Sequence, residues 1–183
     1  TLGGIKKVWL TLDNQEVTMV KVDMGKPILE TKDIPCLFDK KTMINEAIEI
    51  NGNIYHLTSL SMGNPHTVMF VDNLDFDIKK IGPFLEKHDM FPESVNTEFV
   101  QVVDRQHLKM RVWERGSGET KACGTGACAC MYASYLLGLC DRDVFVDLLG
   151  GRLHITYEDG HIFMEGEAKR IFEGIINEED FYV

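Results

Sequence analysis

The segment E114-R-G-S-G-E-T-K-A-C-G-T-G-A-C-A129 is a polar loop that leads into a long run without charged residues. This pattern predicts a helix that begins directly after Cys123 and is buried inside a core. The first N–H groups of a helix lack intrahelical acceptors, and the macrodipole is positive there. We therefore expect the Cys123 thiol to have a lowered pKa and to act as a nucleophile or base. The same N–H groups can bind an anion such as a carboxylate.

Outward from this stretch, short strands and turns alternate along the chain, and helices are few. Asn51-Gly52 and Asp159-Gly160 predict tight hairpins, because a type I′ turn needs positive φ at both central residues. A second helix is predicted over Phe76–Lys87, capped by Asp75 or Asp77. The central helix is expected to run from Gly124 to about Leu137. The predicted strands are Ile5–Leu10, Glu16–Val22, Met43–Ile50, Ile54–Ser61, Thr67–Val71, Asn96–Val103, Leu108–Trp113, Val144–Leu148, Leu153–Tyr157, Ile162–Glu165 and Arg170–Ile175. The sequence therefore predicts an α+β fold in which a mainly antiparallel sheet wraps around one apolar helix.

Composition and charge narrow the range of binding partners to be expected. The 183 residues carry a formal net charge of −10, with 44% hydrophobic and 26% charged residues, which is ordinary for a globular domain. An acidic chain is a poor non-specific binder of nucleic acid or anionic lipid, so neither partner is expected. The uncharged stretch from Ala122 to Cys140 is long enough to raise the question of a membrane span. Its many Gly, Ala, Ser and Thr residues instead favour a buried helix.

Five cysteines are present, and three of them fall in one predicted helix, which is poor geometry for disulfides. An odd number of free thiols indicates a reducing, cytoplasmic setting, and no signal peptide is evident at the start of the sequence. No C-x-x-C pair or finger-like histidine spacing supports zinc, so no metal is expected. Apart from Cys123, the cysteines are predicted to be ordinary buried thiols: Cys36, Cys128, Cys130 and Cys140.

Two further patches could carry chemistry. Glu114-Arg115 ends a strand and could bind the ammonium and carboxylate of an amino acid, although a surface ion pair is the usual role of such a dipeptide. G63-N-P-H66 places an amide and an imidazole in a turn after a strand, where His66 is either a general acid–base group or a bystander. Asn96 opens a strand in V95-N-T-E-F99, a position that is usually turn chemistry.

The glycines after Cys123 also match a loose dinucleotide-binding fingerprint, Gly124-x-Gly126-x-x-Ala129. That fingerprint should follow a strand directly within a parallel βαβ unit. Here a polar loop of about ten residues separates Trp113 from Gly124, which argues against a nucleotide site. No cofactor is therefore expected from this motif.

Together, S61-M-G-N-P-H66, V95-N-T-E-F99, E114-R-G-S-G-E-T-K-A-C-G-T-G126 and A168-K-R-I-F-E-G174 resemble the diaminopimelate epimerase family. The motifs occur in the family's order and cover nearly the whole chain. Cysteine racemases that act on proline share the Cys-Gly-Thr-Gly core. The Glu-Arg-Gly prefix and the Gly-Asn-Pro-His turn favour the diaminopimelate branch, an isomerase of lysine and cell-wall biosynthesis.

The resemblance implies a cofactor-independent epimerisation of LL- to meso-diaminopimelate, in which two cysteines flank the α-carbon. One cysteine removes a proton as thiolate, and the other returns a proton to the opposite face as thiol. Cys123 matches the second thiol, and His66 and Glu114 match groups thought to assist ionisation of the thiols. Burial of the site would strengthen the field of the helix N-terminus. The positions that match substrate-binding residues are Asn64, Asn96, Glu114, Arg115, Gly124 and Thr125.

One departure from the family pattern limits the expected activity. The first thiol of the family lies in a Met-Cys-Gly-Asn-Gly type motif, which this sequence lacks, and Cys36 has no adjacent glycines. We expect remnant strands of an N-terminal domain in 1–24, a C-terminal epimerase domain in 25–167 and a closing segment in 168–183. The chain alone is expected to be inactive, and the full-length enzyme to be a homodimer. The alternatives are a proline or hydroxyproline racemase of the same fold and a non-catalytic carboxylate-binding fragment.

Overall fold

Short strands joined by turns make up most of the chain in the computed structural model, which describes residues 5–175 and 177. Within these residues two α-helices interrupt the strands, and the longer of them begins at the glycine that follows Cys123. In chain order the elements are β1 (Val8–Asp13), β2 (Glu16–Gly25), β3 (Met43–Ile50), β4 (Asn53–Ser61), β5 (Pro65–Phe70), α1 (Gly82–Glu86), β6 (Asn96–Asp104), β7 (His107–Glu114), β8 (Gly118–Thr120), α2 (Gly124–Leu136), β9 (Asp143–Leu148), β10 (Gly151–Glu158) and β11 (His161–Glu167).

All of these strands belong to one sheet. Its order is β1-β2-β11-β10-β9-β7-β6-β5-β4-β3, and β8 pairs with β7 off this path. Among the described residues, only β5 with β6 and β7 with β9 pair in parallel, and the other pairings are antiparallel. The predicted α+β class with a mainly antiparallel sheet is therefore confirmed.

The sheet curves around α2, which contacts strands β4–β7 on one side and β9–β11 on the other. The helix is buried from Gly126 to Ser134, so it has no polar face that would need solvent. The small side chains of Ala127, Ala129 and Ala133 allow strands to approach from several directions. No helix in the described residues is long and apolar enough to cross a membrane.

A second core lies on the other face of the central strands. Along β6, Val100 packs in the core around α2, whereas Phe99 packs in the second core with Leu85 of α1. This alternation is the period of two that a strand buried on both faces requires. The two faces of β6 therefore connect the α2 core with a separate layer that includes α1.

The tight turns form as predicted, whereas the second helix does not. Both predicted hairpins are confirmed, since Asn51, Gly52, Asp159 and Gly160 all have positive φ. The single helix predicted over Phe76–Lys87 is wrong. A 3₁₀ turn at Ile78–Lys80 and the short α1 occupy this region, with Pro83 in the first turn of α1. Proline lacks the N–H that a continuous helix would need at this point.

The predicted capping of this region is confirmed for Asp77, whose Oδ1 accepts a hydrogen bond of 3.1 Å from the N–H of Lys79. The predicted strand at Arg170–Ile175 is wrong, because these residues are irregular and exposed. Among the described residues, no strand pairs with this segment. The three-residue strand β8 was too short for the sequence pattern to indicate.

The expected domain boundaries remain predictions. Strand β2 ends at Gly25 and pairs with β11, which ends at Glu167, so both boundaries fall at strand ends. The first four residues of the expected remnant, 1–4, lie outside the described residues. So do 176 and 178–183 of the expected closing segment.

A surface cluster on β7, β9 and β10 makes the fold sensitive to acid. Asp147 accepts hydrogen bonds from Arg152 Nε at 2.6 Å and from His107 Nε2 at 2.7 Å. The bonds from Arg152, and secondarily that from His107, lower the pKa of Asp147 to about 2. A carboxyl with a depressed pKa in the folded state stabilises the protein above its unfolded pKa of about 4, and this stabilisation is lost as the pH falls toward 2.

We therefore expect Asp147→Asn to reduce the free energy of unfolding by about 1 kcal/mol near neutral pH, after discounting for partial exposure. The difference from the wild type should shrink below about pH 4. Urea unfolding at a series of pH values measures both quantities, with Asp13→Asn on exposed β1 as the control. A difference that persists unchanged at the acid end would contradict the assignment of stability to this carboxylate.

Candidate functional site

The pairing of β5 with β6 brings the predicted histidine and asparagine together. His66 lies opposite Asn96 in the parallel register, and Glu98 lies two residues further along β6 on the same face. His66 Nδ1 is 2.6 Å from Glu98 Oε1, and both side chains are completely buried. The imidazole is therefore held by a carboxylate beneath the surface of the site.

A chain of polar contacts runs from this histidine to the sulfur of Cys123. His66 Nε2 is 3.1 Å from Asn64 Oδ1, and Asn64 Nδ2 donates to Thr125 Oγ1 at 3.3 Å. Thr125 Oγ1 in turn lies 3.5 Å from Cys123 Sγ. The structure thus assembles four of the predicted site residues, although 61 positions separate Asn64 from Thr125.

Cys123 is the N-cap of α2. Its backbone is extended, with φ −140° and ψ 106°, and its sulfur accepts a hydrogen bond of 3.3 Å from the N–H of Gly126. The first intrahelical bond runs from the N–H of Ala127 to the carbonyl of Cys123, at 2.9 Å. The N–H groups of Gly124 and Thr125 precede that bond, so they are positioned to bind an anion at the helix end.

The acidity of the thiol differs from the sequence-based expectation. Burial, and secondarily the nearby charge of Glu98, raise the pKa of Cys123 to about 11, although the hydrogen bonds from Thr125 and Gly126 act to lower it. The predicted lowering of the pKa is therefore wrong for this chain. The sequence indicates the helix terminus but not how completely the sulfur is removed from water, and desolvation disfavours the thiolate more than the two donors favour it.

The Glu114–Arg115 pair lies beside the site, where β7 ends and the next loop begins. Thr120 Oγ1 donates a hydrogen bond to Glu114 Oε1, and this carboxylate is half-buried. The Arg115 guanidinium is exposed and donates to the carbonyl of Glu93 at 3.0 Å. Within the described part of the chain the two side chains do not pair with each other, so the surface ion pair considered from the sequence is not formed.

Asn96 joins two of the loops that carry the site. Its Nδ2 donates to the carbonyl of Pro65 at 2.8 Å, and its Oδ1 accepts from the N–H of Arg115 at 3.0 Å. Both ends of the amide are therefore engaged by backbone. The buried side chain holds the turn before His66 against the loop that begins at Arg115.

Two acidic residues of this region were missed by the sequence reasoning. Glu86 accepts hydrogen bonds from Trp113 Nε1 at 2.7 Å and from the N–H of Gly116 at 2.9 Å, so it anchors the same loop. Glu98 is the partner of His66. A charged residue directly before the apolar pair Phe99-Val100 was the available signal for Glu98. No comparable signal marks Glu86, because its partners are distant in sequence.

The remaining cysteines are free and buried, as predicted. Burial raises the pKa of Cys36 to about 11 and that of Cys140 to about 12, and it raises the pKa of Cys128 and Cys130 still further. None of these four sulfurs makes a contact with Asn64, His66 or Thr125 among the hydrogen bonds of the described residues. Cys123 is thus the cysteine that the fold connects to the candidate site.

The fold is similar to that of two solved structures. A hydroxyproline epimerase from Agrobacterium vitis, solved with bound trans-4-hydroxy-L-proline, matches 91% of this chain and 54% of its own with a TM-score of 0.65. A probable proline racemase from Agrobacterium radiobacter K84 matches 91% of this chain and 55% of its own with a TM-score of 0.63. Both are 11% identical to this chain, so these matches establish the fold alone.

Sequence comparison identifies the family of the chain. The family model for diaminopimelate epimerase matches residues 58–171, and the chain belongs to that family. It is 50% identical over 180 residues to the diaminopimelate epimerase of Acetivibrio thermocellus, covering 97% of this chain and 64% of the relative. It is 49% identical to that of Methanococcus maripaludis strain S2, with coverage of 97% and 65%. The chain therefore spans somewhat less than two thirds of the length of these relatives.

Proposed function

We propose that this chain is the Cys123-bearing part of an isomerase that interconverts LL- and meso-diaminopimelate without a cofactor. The reaction would belong to lysine and cell-wall biosynthesis in the cytoplasm, and the complete protein would be a homodimer. The observation that carries the proposal is the thiol at the N-terminus of α2, joined through Thr125 and Asn64 to the buried His66. The names of the relatives support the choice of substrate.

In this proposal, the end of α2 binds the substrate's α-carboxylate. The N–H groups of Gly124 and Thr125 supply hydrogen bonds, and the positive end of the helix dipole favours the anion. This interaction also stabilises the negative charge that develops next to the carboxylate when the α-proton leaves. No cofactor enters the scheme, because the helix terminus and the dry surroundings supply the electrostatic stabilisation.

Cys123 donates the proton in one direction of the reaction. With a pKa of about 11, the sulfur is protonated near neutral pH and is ready to act as an acid. A second base removes the α-proton from one face and leaves the electron pair on carbon. The S–H bond of Cys123 then breaks as a new C–H bond forms on the opposite face. In the reverse direction the resulting thiolate removes the proton.

The loop from Glu114 to Gly116 completes the proposed site. Glu114, Arg115, Asn64 and Asn96 are the side chains assigned to substrate binding, and Glu114 and His66 to assisting the thiols. Asn96 already bonds to backbone at both ends of its amide, so we infer that it acts mainly by holding the two loops in place. Direct contact of Asn96 with substrate stays a prediction.

We expect the 183-residue chain alone to produce no measurable epimerisation, because one thiol cannot reach both faces of the same α-carbon. The assay incubates LL-diaminopimelate in deuterated water and follows both meso product and α-deuterium by mass spectrometry. A longer protein that includes the remaining third of the relatives' length serves as the positive control. Proline and hydroxyproline are run in parallel, since turnover of either would favour the racemase alternative.

Appreciable turnover of diaminopimelate by the short chain would overturn the requirement for a second thiol outside it. Failure of the longer protein on all three substrates, with binding retained, would favour a carboxylate-binding role. The oligomeric state of the longer protein is measured separately by sedimentation, because it does not bear on the chemistry of the site.

A further inference from the structure

The contacts of the buried His66 ring with Glu98 and Asn64 indicate where one of its hydrogens lies. His66 Nδ1 and Glu98 Oε1 are 2.6 Å apart with no water-accessible surface on either side chain. The other ring nitrogen, Nε2, faces Asn64 Oδ1, which only accepts hydrogen bonds. With the Asn64 amide in this orientation, Nε2 carries a hydrogen, whether the proton between Nδ1 and Oε1 resides on the imidazole or on the carboxyl.

The hydrogen on Nε2 sets which group donates and which accepts in each later contact of the hydrogen-bond chain from His66 to Cys123. Asn64 accepts at Oδ1, so its amide nitrogen donates to Thr125 Oγ1. The Thr125 hydroxyl keeps its own hydrogen free and can donate to Cys123 Sγ. The N–H of Gly126 also points at that sulfur. The sulfur consequently receives two donors, an arrangement suited to a thiolate.

We propose that Glu98 is a positioning residue that directs this hydrogen-bond chain toward Cys123. It shares a proton with His66 and thereby holds the Nε2 hydrogen toward Asn64. Thr125 then donates to Cys123 Sγ and does not accept from it, so the S–H hydrogen of Cys123 remains available to the substrate. The two donors stabilise the thiolate after the proton has moved to the substrate. Only this last step rests on the proposed function.

Packing and polar contacts of Glu98 support the assignment. A Cβ atom at position 126 would come within 2.8 Å of Glu98 Oε1 and 3.1 Å of Cys123 Sγ, so Gly126 leaves room for the carboxyl beside the sulfur. Glu98 Oε2 is buried without a hydrogen-bond partner among the described residues. An unpartnered buried oxygen costs less on a carboxyl that shares a proton than on an isolated carboxylate.

Two substitutions test whether Glu98 acts by directing the hydrogen-bond chain, by its charge or by its packing. In Glu98→Gln the amide can donate to His66 Nδ1, so Nε2 keeps its hydrogen and the chain keeps its direction. In Glu98→Leu the volume is similar, but Nδ1 loses its partner, so only the contact of Nε2 with Asn64 Oδ1 still orients the ring. If Glu98 acted through its charge alone, the two variants would behave alike in both measurements. If it acted through packing alone, Glu98→Leu would behave like the wild type.

The test uses the 183-residue chain and two readouts that do not need epimerase activity. The ¹⁵N NMR shifts of the His66 ring, assigned with His66→Gln, report which nitrogens are protonated. We expect a protonated Nε2 in the wild type and in Glu98→Gln, with Nδ1 unprotonated in the latter. Both variants lose the Glu98 charge that raises the pKa of Cys123, so they are compared with each other. Iodoacetamide labelling of Cys123, mapped by mass spectrometry across a pH series, should be about tenfold slower in Glu98→Leu than in Glu98→Gln.

An unprotonated Nε2 in the wild type would overturn the proposal, as would equal labelling rates in the two variants. If Glu98→Leu does not fold, the ring shifts of the wild type and Glu98→Gln decide the question. A positive result combined with an inactive longer protein would reject the proposed epimerase but retain the role of Glu98.

Discussion

Cys123→Ala in the longer protein is expected to lower kcat for diaminopimelate epimerisation by about 10³-fold or more, the scale of a lost general acid–base group. The substitution removes the thiol that lies at the N-terminus of α2. It leaves the N–H groups of Gly124 and Thr125 in place. Binding of the substrate carboxylate should therefore survive, and KM should change much less than kcat.

Cys128→Ala is the matched control, because Cys128 lies in the same helix and is fully buried. It removes a sulfur of the same size, at some cost in stability, without touching Thr125 or Asn64. We expect its kcat to stay near wild type. Steady-state kinetics and calorimetric titration with diaminopimelate measure both variants. If Cys123→Ala keeps more than about a tenth of the activity, Cys123 is not the proton donor.

The sequence predicts the parts of this fold that depend on neighbouring residues. The helix start at Gly124 follows from the glycines and the capping position of Cys123, and the hairpins follow from Asn51-Gly52 and Asp159-Gly160. Their φ values are set locally, so the pattern alone is enough. The resemblance to a family added the assignment of His66, Asn64 and Asn96 to one site.

The remaining features depend on contacts between distant segments. Glu98 acts through His66, which lies 32 positions away, and only the parallel register of β5 and β6 brings them together. The same holds for the pKa of Cys123, since its burial is produced by strands from both sides of α2. The predicted helix over Phe76–Lys87 was wrong for a related reason, because Pro83 restricts a segment whose apolar spacing otherwise fits a helix.

Phe99→Ala is expected to cause the largest loss of stability among the substitutions considered. Phe99 is completely buried on the face of β6 opposite Glu98, and its ring packs edge-on against Phe76 with centroids 5.3 Å apart. Truncating a buried phenylalanine to alanine costs about 3–5 kcal/mol, from lost burial and from the cavity that remains. A domain of this size has a total stability of about 5–15 kcal/mol, so the variant would be marginal.

Phe84→Ala is the control, because Phe84 lies on α1 and is 52% exposed. We expect it to change the free energy of unfolding by less than about 1 kcal/mol. Guanidinium unfolding followed by fluorescence and circular dichroism measures both. Equal losses would show that the layer containing α1 does not form a second core. A selective loss in Phe99→Ala would show that this layer supports β6 from behind, and hence the strand position at which Glu98 holds His66.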